Sequence, residues 1–337
     1  MRRNLAALYA ALAAGNLAAW AAALAAFHNR PVLLGTAFLA YSFGLRHAVD
    51  ADHIAAIDNI TRKLMQEGKR PFAAGFYFSL GHATVVVLAS AALAIAAGGF
   101  EAHFAALREA GALVGTLVSV LVLLLVAVVN CAVLATVWQR LRATAKGAAL
   151  DHSSLDAVLG QRGLWARLLR PLFRLVTRSW HMYPLGFLFG LGFDTATEVA
   201  VLAISAAESA KGLPFGAVMV FPLLFTAGMA LVDTTDSVLM VGAYGWAFVE
   251  PMRKLFYNFT ITLVSVVVAV VVGGIEALGL AGDHWGLEGP FWRLIAALND
   301  NFAGIGYAVI GFFAIAWFGS ALVWRWRFAG RLGVRGG

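Results

Sequence analysis

Charge is what this sequence has least of. Only 13% of its 337 residues are Asp, Glu, Lys or Arg, about half the share of a soluble globular domain, whereas 61% are hydrophobic. So few charges cannot cover a water-facing surface, which excludes an ordinary soluble enzyme. Cysteine is nearly missing too: Cys131 stands alone, so no intrachain disulfide and no cysteine metal cluster can form. No Gly-x4-Gly-Lys-Ser/Thr phosphate loop and no His-Glu-x-x-His pair occur. An ATPase subunit within the chain and a protease of the site-2 type are thereby set aside.

The apolar residues gather into eight runs, 5–27, 32–57, 72–97, 111–137, 182–204, 215–244, 259–280 and 302–324. At about 1.5 Å per residue each can cross a hydrocarbon core of about 30 Å. The first run, behind Arg2 and Arg3, has the outline of a signal peptide but is long for one, and is read as a retained helix. The net charge of +7 would suggest nucleic acid in a soluble protein. Here the basic residues lie between apolar runs, where they set topology, so membrane lipid and not nucleic acid is the expected surroundings. If all eight runs cross, twenty of the 25 Lys and Arg residues, Arg62 among them, fall on one side, four on the other, and Arg46 within a span. The expectation is an all-α membrane protein, one polytopic domain over 1–337, with eight transmembrane helices and both termini cytoplasmic.

Residues 138–180 form a basic cytoplasmic loop. Its stretch 163–180 mixes Leu, Phe and Trp with four arginines, the pattern of an interfacial helix, with a basic loop as the alternative. Residues 214–249 are too long for one straight crossing and contain Asp233-Thr-Thr-Asp236. Two crossings would put the basic C-terminal tail outside, so one long, tilted or broken helix is expected.

Span two reads Arg46-His47-Ala-Val-Asp50-Ala-Asp52-His53, with Asp58 beyond. A charge at a helix centre costs about 2.5 to 3.5 kcal/mol, so so many ionisable groups need partners or a purpose. At about 100° per residue His47, Asp50 and His53 climb one side of a helix at about 0°, 300° and 240°, with Asp52 away at about 140°. Local unwinding would bring Asp52 and backbone carbonyls in as well. Imidazole with carboxylate suits a transition metal such as Ni²⁺, Cu²⁺, Zn²⁺ or Fe²⁺. Span three adds His82 beside Gly81, a further ligand or a support for one. Span five adds Asp194 and Glu198 at i, i+4; span six adds Asp233 and Asp236 at i, i+3. Seven acids against Arg46 make an interior that attracts cations and repels oxyanions. Glu276, near the outer end of span seven, is read as interfacial. Residues 44–50 and 190–196 look faintly alike on spans of opposite direction, the outline of a weak inverted repeat.

Four stretches now carry a resemblance. Arg46-His-Ala-Val-Asp-Ala-Asp-His-Ile54, Leu80-Gly-His-Ala-Thr-Val-Val86, Leu191-Gly-Phe-Asp-Thr-Ala-Thr-Glu198 and Gly228-Met-Ala-Leu-Val-Asp-Thr-Thr-Asp236 resemble, in order and spacing, the four signatures of the nickel/cobalt transporter family. The chain looks closest to its bacterial high-affinity nickel permeases. The resemblance implies uptake of Ni²⁺, in some members also Co²⁺, across the cytoplasmic membrane by a single polypeptide, with no ATPase subunit, no enzymatic activity and no cofactor beyond the transported ion. Its second-helix motif, His-x4-Asp-His, falls on His47, Asp52 and His53, whereas the helical wheel favours Asp50 over Asp52; both aspartates are kept. Ser237 stands where many members have glycine. His47, Asp50, Asp52, His53 and His82 are thus the expected metal residues. Arg46, Asp194, Glu198, Asp233 and Asp236 are expected along the pathway or in coupling. The rival readings are an efflux carrier, which the single His152 in residues 138–180 disfavours, and an intramembrane metalloenzyme.

Overall fold

A computed structural model describes residues 2–95, most of 113–142, 176–192, 195–247 and 251–327. Every regular element among them is helical. They are α1 (Arg2–Phe27), α2 (Pro31–His47), α3 (Ala51–Gln66), α4 (Ala74–Ile95) and α5 (Leu113–Leu125). After a short 3₁₀ turn follow α6 (Met182–Gly190), α7 (Ala196–Ala210), α8 (Phe215–Val218), α9 (Val220–Ala247), α10 (Pro251–Trp285), α11 (Pro290–Asp300) and α12 (Phe302–Arg327). Most of the basic loop 138–180, and Asp194, lie outside the described residues.

The runs fold as helices because in hydrocarbon only a helix satisfies its own backbone, and prolines sit where a helix tolerates them. Pro31 and Pro290 occupy the first turns of α2 and α11, where a missing N–H costs nothing. Gly68, at φ +77°, ends α3, and Lys69 N–H then turns back to Leu64 C=O at 2.9 Å, a stop that favours glycine.

Among the described residues four helices are long and apolar enough to cross a membrane, or six if each of two bent pairs is one span. Of the eight expected spans, 111–137 is described only in part, and two others are split. Span two is α2 and α3, bent by 50° across residues 48–50, so its apolar length is split. Span five is split as well, into nine-residue α6 and fifteen-residue α7. Residues 215–245, by contrast, make one candidate span: α9 runs unbroken for 28 residues through Asp233 and Asp236. Amphipathic α11, bent 76° against α12, is an addition that the apolar runs do not announce.

The long helix α9 is the pillar of the bundle, packing against α1, α2, α3 and α4, while α4 also packs on α6 and α7, and α3 on α10 and α12. Small residues let these helices touch. A Cβ on Gly44 would overlap the Phe225 backbone of α9, one on Gly75 the backbone of Asp233, and one on Gly81 the Tyr183 backbone of α6. In a bilayer, where apolar side chains gain nothing by leaving lipid, such backbone approach is a main source of helix association. The lipid-facing side carries residues such as Val32, Leu17 and Ile315, each more than 70% exposed.

Two expectations are corrected by burial. Glu276 is not interfacial but 5% exposed, accepting hydrogen bonds from Ser119 Oγ at 2.9 and 2.7 Å. Arg62, counted above among the cytoplasmic topology charges, is 1% exposed inside the bundle.

Replacing Gly75 or Gly81 by Val is expected to lower the yield of monodisperse protein in detergent and its melting temperature, because overpacking against backbone costs about 1–3 kcal/mol or more. Gly35→Ala, with open space around it, is expected to stay within about 0.5 kcal/mol of the parent.

Candidate metal site

The break in span two builds the site. α2 ends on His47, residues 48–50 form a tight turn in which Asp50 N–H bonds to His47 C=O at 2.9 Å, and α3 restarts at Ala51 from an extended Asp50 (φ −62°, ψ 145°). A continuous helix would set His47 and His53 almost two turns apart. With the turn between them their rings lie 4.6 Å apart, centroid to centroid, and each is 4.8 Å from the ring of His82 on α4. The three imidazoles are buried, and a nitrogen from each can be chosen so that all lie within 4.8 Å of one another.

Hydrogen bonding assigns the tautomers. His47 Nδ1–H donates to Asp50 Oδ2 at 3.0 Å, which leaves its Nε2 as an acceptor facing His82 Nε2. Nδ1–H of His53 points at both oxygens of Asp233, 3.4 Å away, and its Nε2 is buried without a protein partner. A carboxylate behind an imidazole, with the far nitrogen bare, is the arrangement that orients histidine for a metal. His82 Nε2 sits 2.5 Å from Glu198 Oε1 and 3.0 Å from His47 Nε2, and Glu198 Oε1 is 3.8 Å from His47 Nε2. Three donor atoms from α2, α4 and α7 therefore converge on one point. Phe78 and Phe225, with ring centroids 4.9 Å from His53 and 5.4 Å from His47, wall the cluster with apolar surface.

The expected residues thus separate. His47, His53, His82 and Asp50 meet, and Glu198 and Asp233, expected only along the pathway, touch the histidines directly. Asp52, in the first turn of α3, makes no such contact, and its Oδ1 is buried without a partner. Asp236, one turn beyond Asp233, also has a buried, unpartnered oxygen. Arg46 forms no ion pair with a described acid: Asp50, its suggested partner, is held by His47 instead. Two hydroxyls were not anticipated. Thr195 Oγ1 and Thr197 Oγ1 lie 3.2 and 3.3 Å from His47 Nδ1, and Thr195 also donates to Glu198 Oε2 at 3.1 Å. The signal available in sequence was their place within the span-five signature, flanking its acids.

Imidazole nitrogen plus carboxylate oxygen, buried and net acidic, is a donor set for a divalent transition metal and a poor one for Mg²⁺ or Ca²⁺, which prefer oxygen alone. Comparison with known proteins agrees with that chemistry. A family model described as NicO, high-affinity nickel-transport protein, matches residues 33–323. The chain is 55% identical over 320 residues to a high-affinity nickel transport protein of Cupriavidus necator, covering 95% of this chain and 91% of that one. It is 55% identical over 327 residues to the hydrogenase nickel incorporation protein HupN of Bradyrhizobium diazoefficiens, covering 97% and 86%. The cobalt transport protein NhlF of Rhodococcus rhodochrous is 40% identical over 296 residues, covering 86% and 82%. No solved structure matches. With a buried histidine cluster at its centre and relatives of this identity along nearly its whole length, the chain belongs to the high-affinity nickel-transport protein family.

Proposed function

We propose that the protein is a secondary carrier that takes up Ni²⁺, and through the same donors Co²⁺, across the bacterial cytoplasmic membrane. In this reading eight spans place both termini in the cytoplasm, α2 with α3 and α6 with α7 each serving as one broken crossing. His47, His53 and His82 bind the ion as ligands. Asp50 and Asp233 orient the first two rings, and Glu198 supplies an oxygen. Asp52, Asp194 and Asp236 keep the approach and exit negative, and Arg46 balances part of that charge. The observation that carries the reading is the burial of His47, His53 and His82 against one another, with a carboxylate behind Nδ1 of the first two.

Ligation is tested by equilibrium dialysis of purified protein against radioactive nickel. His47→Ala, His53→Ala and His82→Ala are each expected to weaken binding by about a hundredfold or more, and Asp50→Asn or Asp233→Asn by about 10–100-fold, the usual cost of losing an orienting partner. Undiminished binding in all three histidine variants would move the site elsewhere.

Direction and driving force are tested in proteoliposomes. A divalent ion moving inward through about 100 mV gains about 4.6 kcal/mol, enough for a concentration ratio of roughly a thousandfold or more. An inside-negative potassium diffusion potential is therefore expected to drive nickel uptake at equal pH on both sides, with an added pH gradient changing the rate less. Uptake that follows the pH gradient and ignores the potential would mean electroneutral exchange of metal for protons. Net movement only outward under the same potential would mean efflux.

A further inference from the structure

A second polar cluster lies on α3, beyond His53 and on another side of the helix. Asp58 is fully buried. Its carboxylate accepts a hydrogen bond from Ser265 Oγ of α10 at 2.7 Å and another from the Tyr244 hydroxyl of α9. Four residues on, Arg62 is equally buried. Its Nη1 donates to Thr262 Oγ1 at 2.9 Å and its Nη2 to Asn59 Oδ1 at 3.3 Å, while its Nε has no acceptor among the described residues. Asn130 Nδ2 donates to the same Asn59 oxygen at 2.7 Å.

Acid and base at i, i+4 are spaced to pair on a helix, yet these two do not. Among the described residues no carboxylate comes within ion-pair distance of Arg62. Each charge is held instead by neutral groups, most of them on neighbouring elements. A buried guanidinium with no carboxylate in contact among the described residues is a costly state, and Asp58, one helical turn away, acts on it only across that gap.

Asp236 joins this cluster to the histidines. It lies one turn along α9 from Asp233, and its Oδ2 is buried with no partner among the described residues. At about 100° per residue Asp233, Asp236 and Tyr244 share an arc of about 80° on α9. A strip of acids therefore runs from His53 to Arg62, toward the end of α3 where Lys63, Lys69 and Arg70 follow.

We propose that Asp58, Arg62 and Tyr244 form the inner gate of the transport path, with Arg62 as a tethered cation that closes the acidic strip below the histidines. The gate rests on the transport reading above. A divalent ion that leaves the histidines for Asp236 and Asp58 repels the guanidinium, whose retreat opens the way inward. The return of Arg62 then neutralises the acids and expels the ion. Arg62 touches no ligand of the histidine site; it is a positioning residue that acts through Asp58.

The test measures two things on the same purified variants: nickel binding by equilibrium dialysis, and saturating nickel uptake in proteoliposomes under an inside-negative potential. Arg62→Gln leaves the acids uncompensated, so binding is expected to hold or tighten while saturating uptake falls by about tenfold or more. Arg62→Lys keeps the charge and is expected to recover most of the rate. Asp58→Asn is expected to slow uptake too, and the doubly neutral Asp58→Asn, Arg62→Gln protein to exceed either single variant. Tyr244→Phe, which removes one hydroxyl and almost no volume, is expected to slow uptake by about fivefold or more with binding intact; it decides the matter if the Arg62 variants fail to fold.

Parent-like uptake by Arg62→Gln or by Tyr244→Phe would overturn the gate. So would an Arg62→Lys protein and a double variant as inactive as Arg62→Gln while still folded and binding nickel, since that pattern belongs to packing. If the unsubstituted protein neither binds nor transports nickel, the transport reading itself fails. If the parent transports and the variants match it, only the gate does.

Discussion

Every polar group carried into the interior of a bilayer must find its partner there, and the break after His47 is how this chain meets that demand. An unbroken helix would hand His47, Asp50, Asp52 and His53 to different neighbours at different heights. Giving up the helical geometry of residues 48–50 brings two imidazoles level and turns Asp50 onto the first. The broken backbone is tolerated because it is enclosed by protein: Val49 and Ala51 are buried, and α12 approaches so closely at Gly306 that only glycine fits against the Val49 backbone.

The same device is used twice. α7 restarts at Ala196 from an extended Thr195 (φ −94°, ψ 140°), much as α3 restarts from Asp50. Each restarted helix carries an acid in its first turn, Asp52 in α3 and Glu198 in α7. A helix N-terminus bears about half a positive charge, which favours a carboxylate there. The two breaks fall in the two stretches that look faintly alike in sequence, 44–50 and 190–196. Two carboxylates close to the histidines thus sit where backbone dipoles favour their charge.

Much of this was legible in the sequence. Runs of 20 or more apolar residues can only be helices in lipid, and ionisable groups inside such runs have to be functional or paired, so His47, His53, His82, Glu198 and Asp233 stood out by composition alone. What could not be read is which of them touch. Helical periodicity relates residues on one helix and says nothing about partners on another, so the contacts of His82 with Glu198 and of His53 with Asp233 depend on where Gly75 and Gly81 let α4 settle. The wheel's preference for Asp50 over Asp52 agrees with the His47 contact, although the helix it assumed is broken there. Arg62 misled because charge counting assigns a residue to a side of the membrane and cannot see a guanidinium folded inward onto Thr262 and Asn59. Glu276 misled likewise: its partner Ser119 is 157 residues away in sequence.

The spacing of the donor atoms bears on how a metal enters. His47 Nε2 and His82 Nε2 are 3.0 Å apart, the length of an N–H···N hydrogen bond. A divalent ion held by both nitrogens would displace any proton between them, and Phe78, Phe225 and the Asp50 and Asp233 hydrogen bonds are the groups that would resist movement of the rings. Donor type alone would favour copper over nickel and nickel over cobalt. Any departure from that order would have to come from the aromatic walls and the carboxylates behind two of the three imidazoles, and a proton leaving His82 Nε2 would have Glu198 Oε1, 2.5 Å away, as its nearest acceptor.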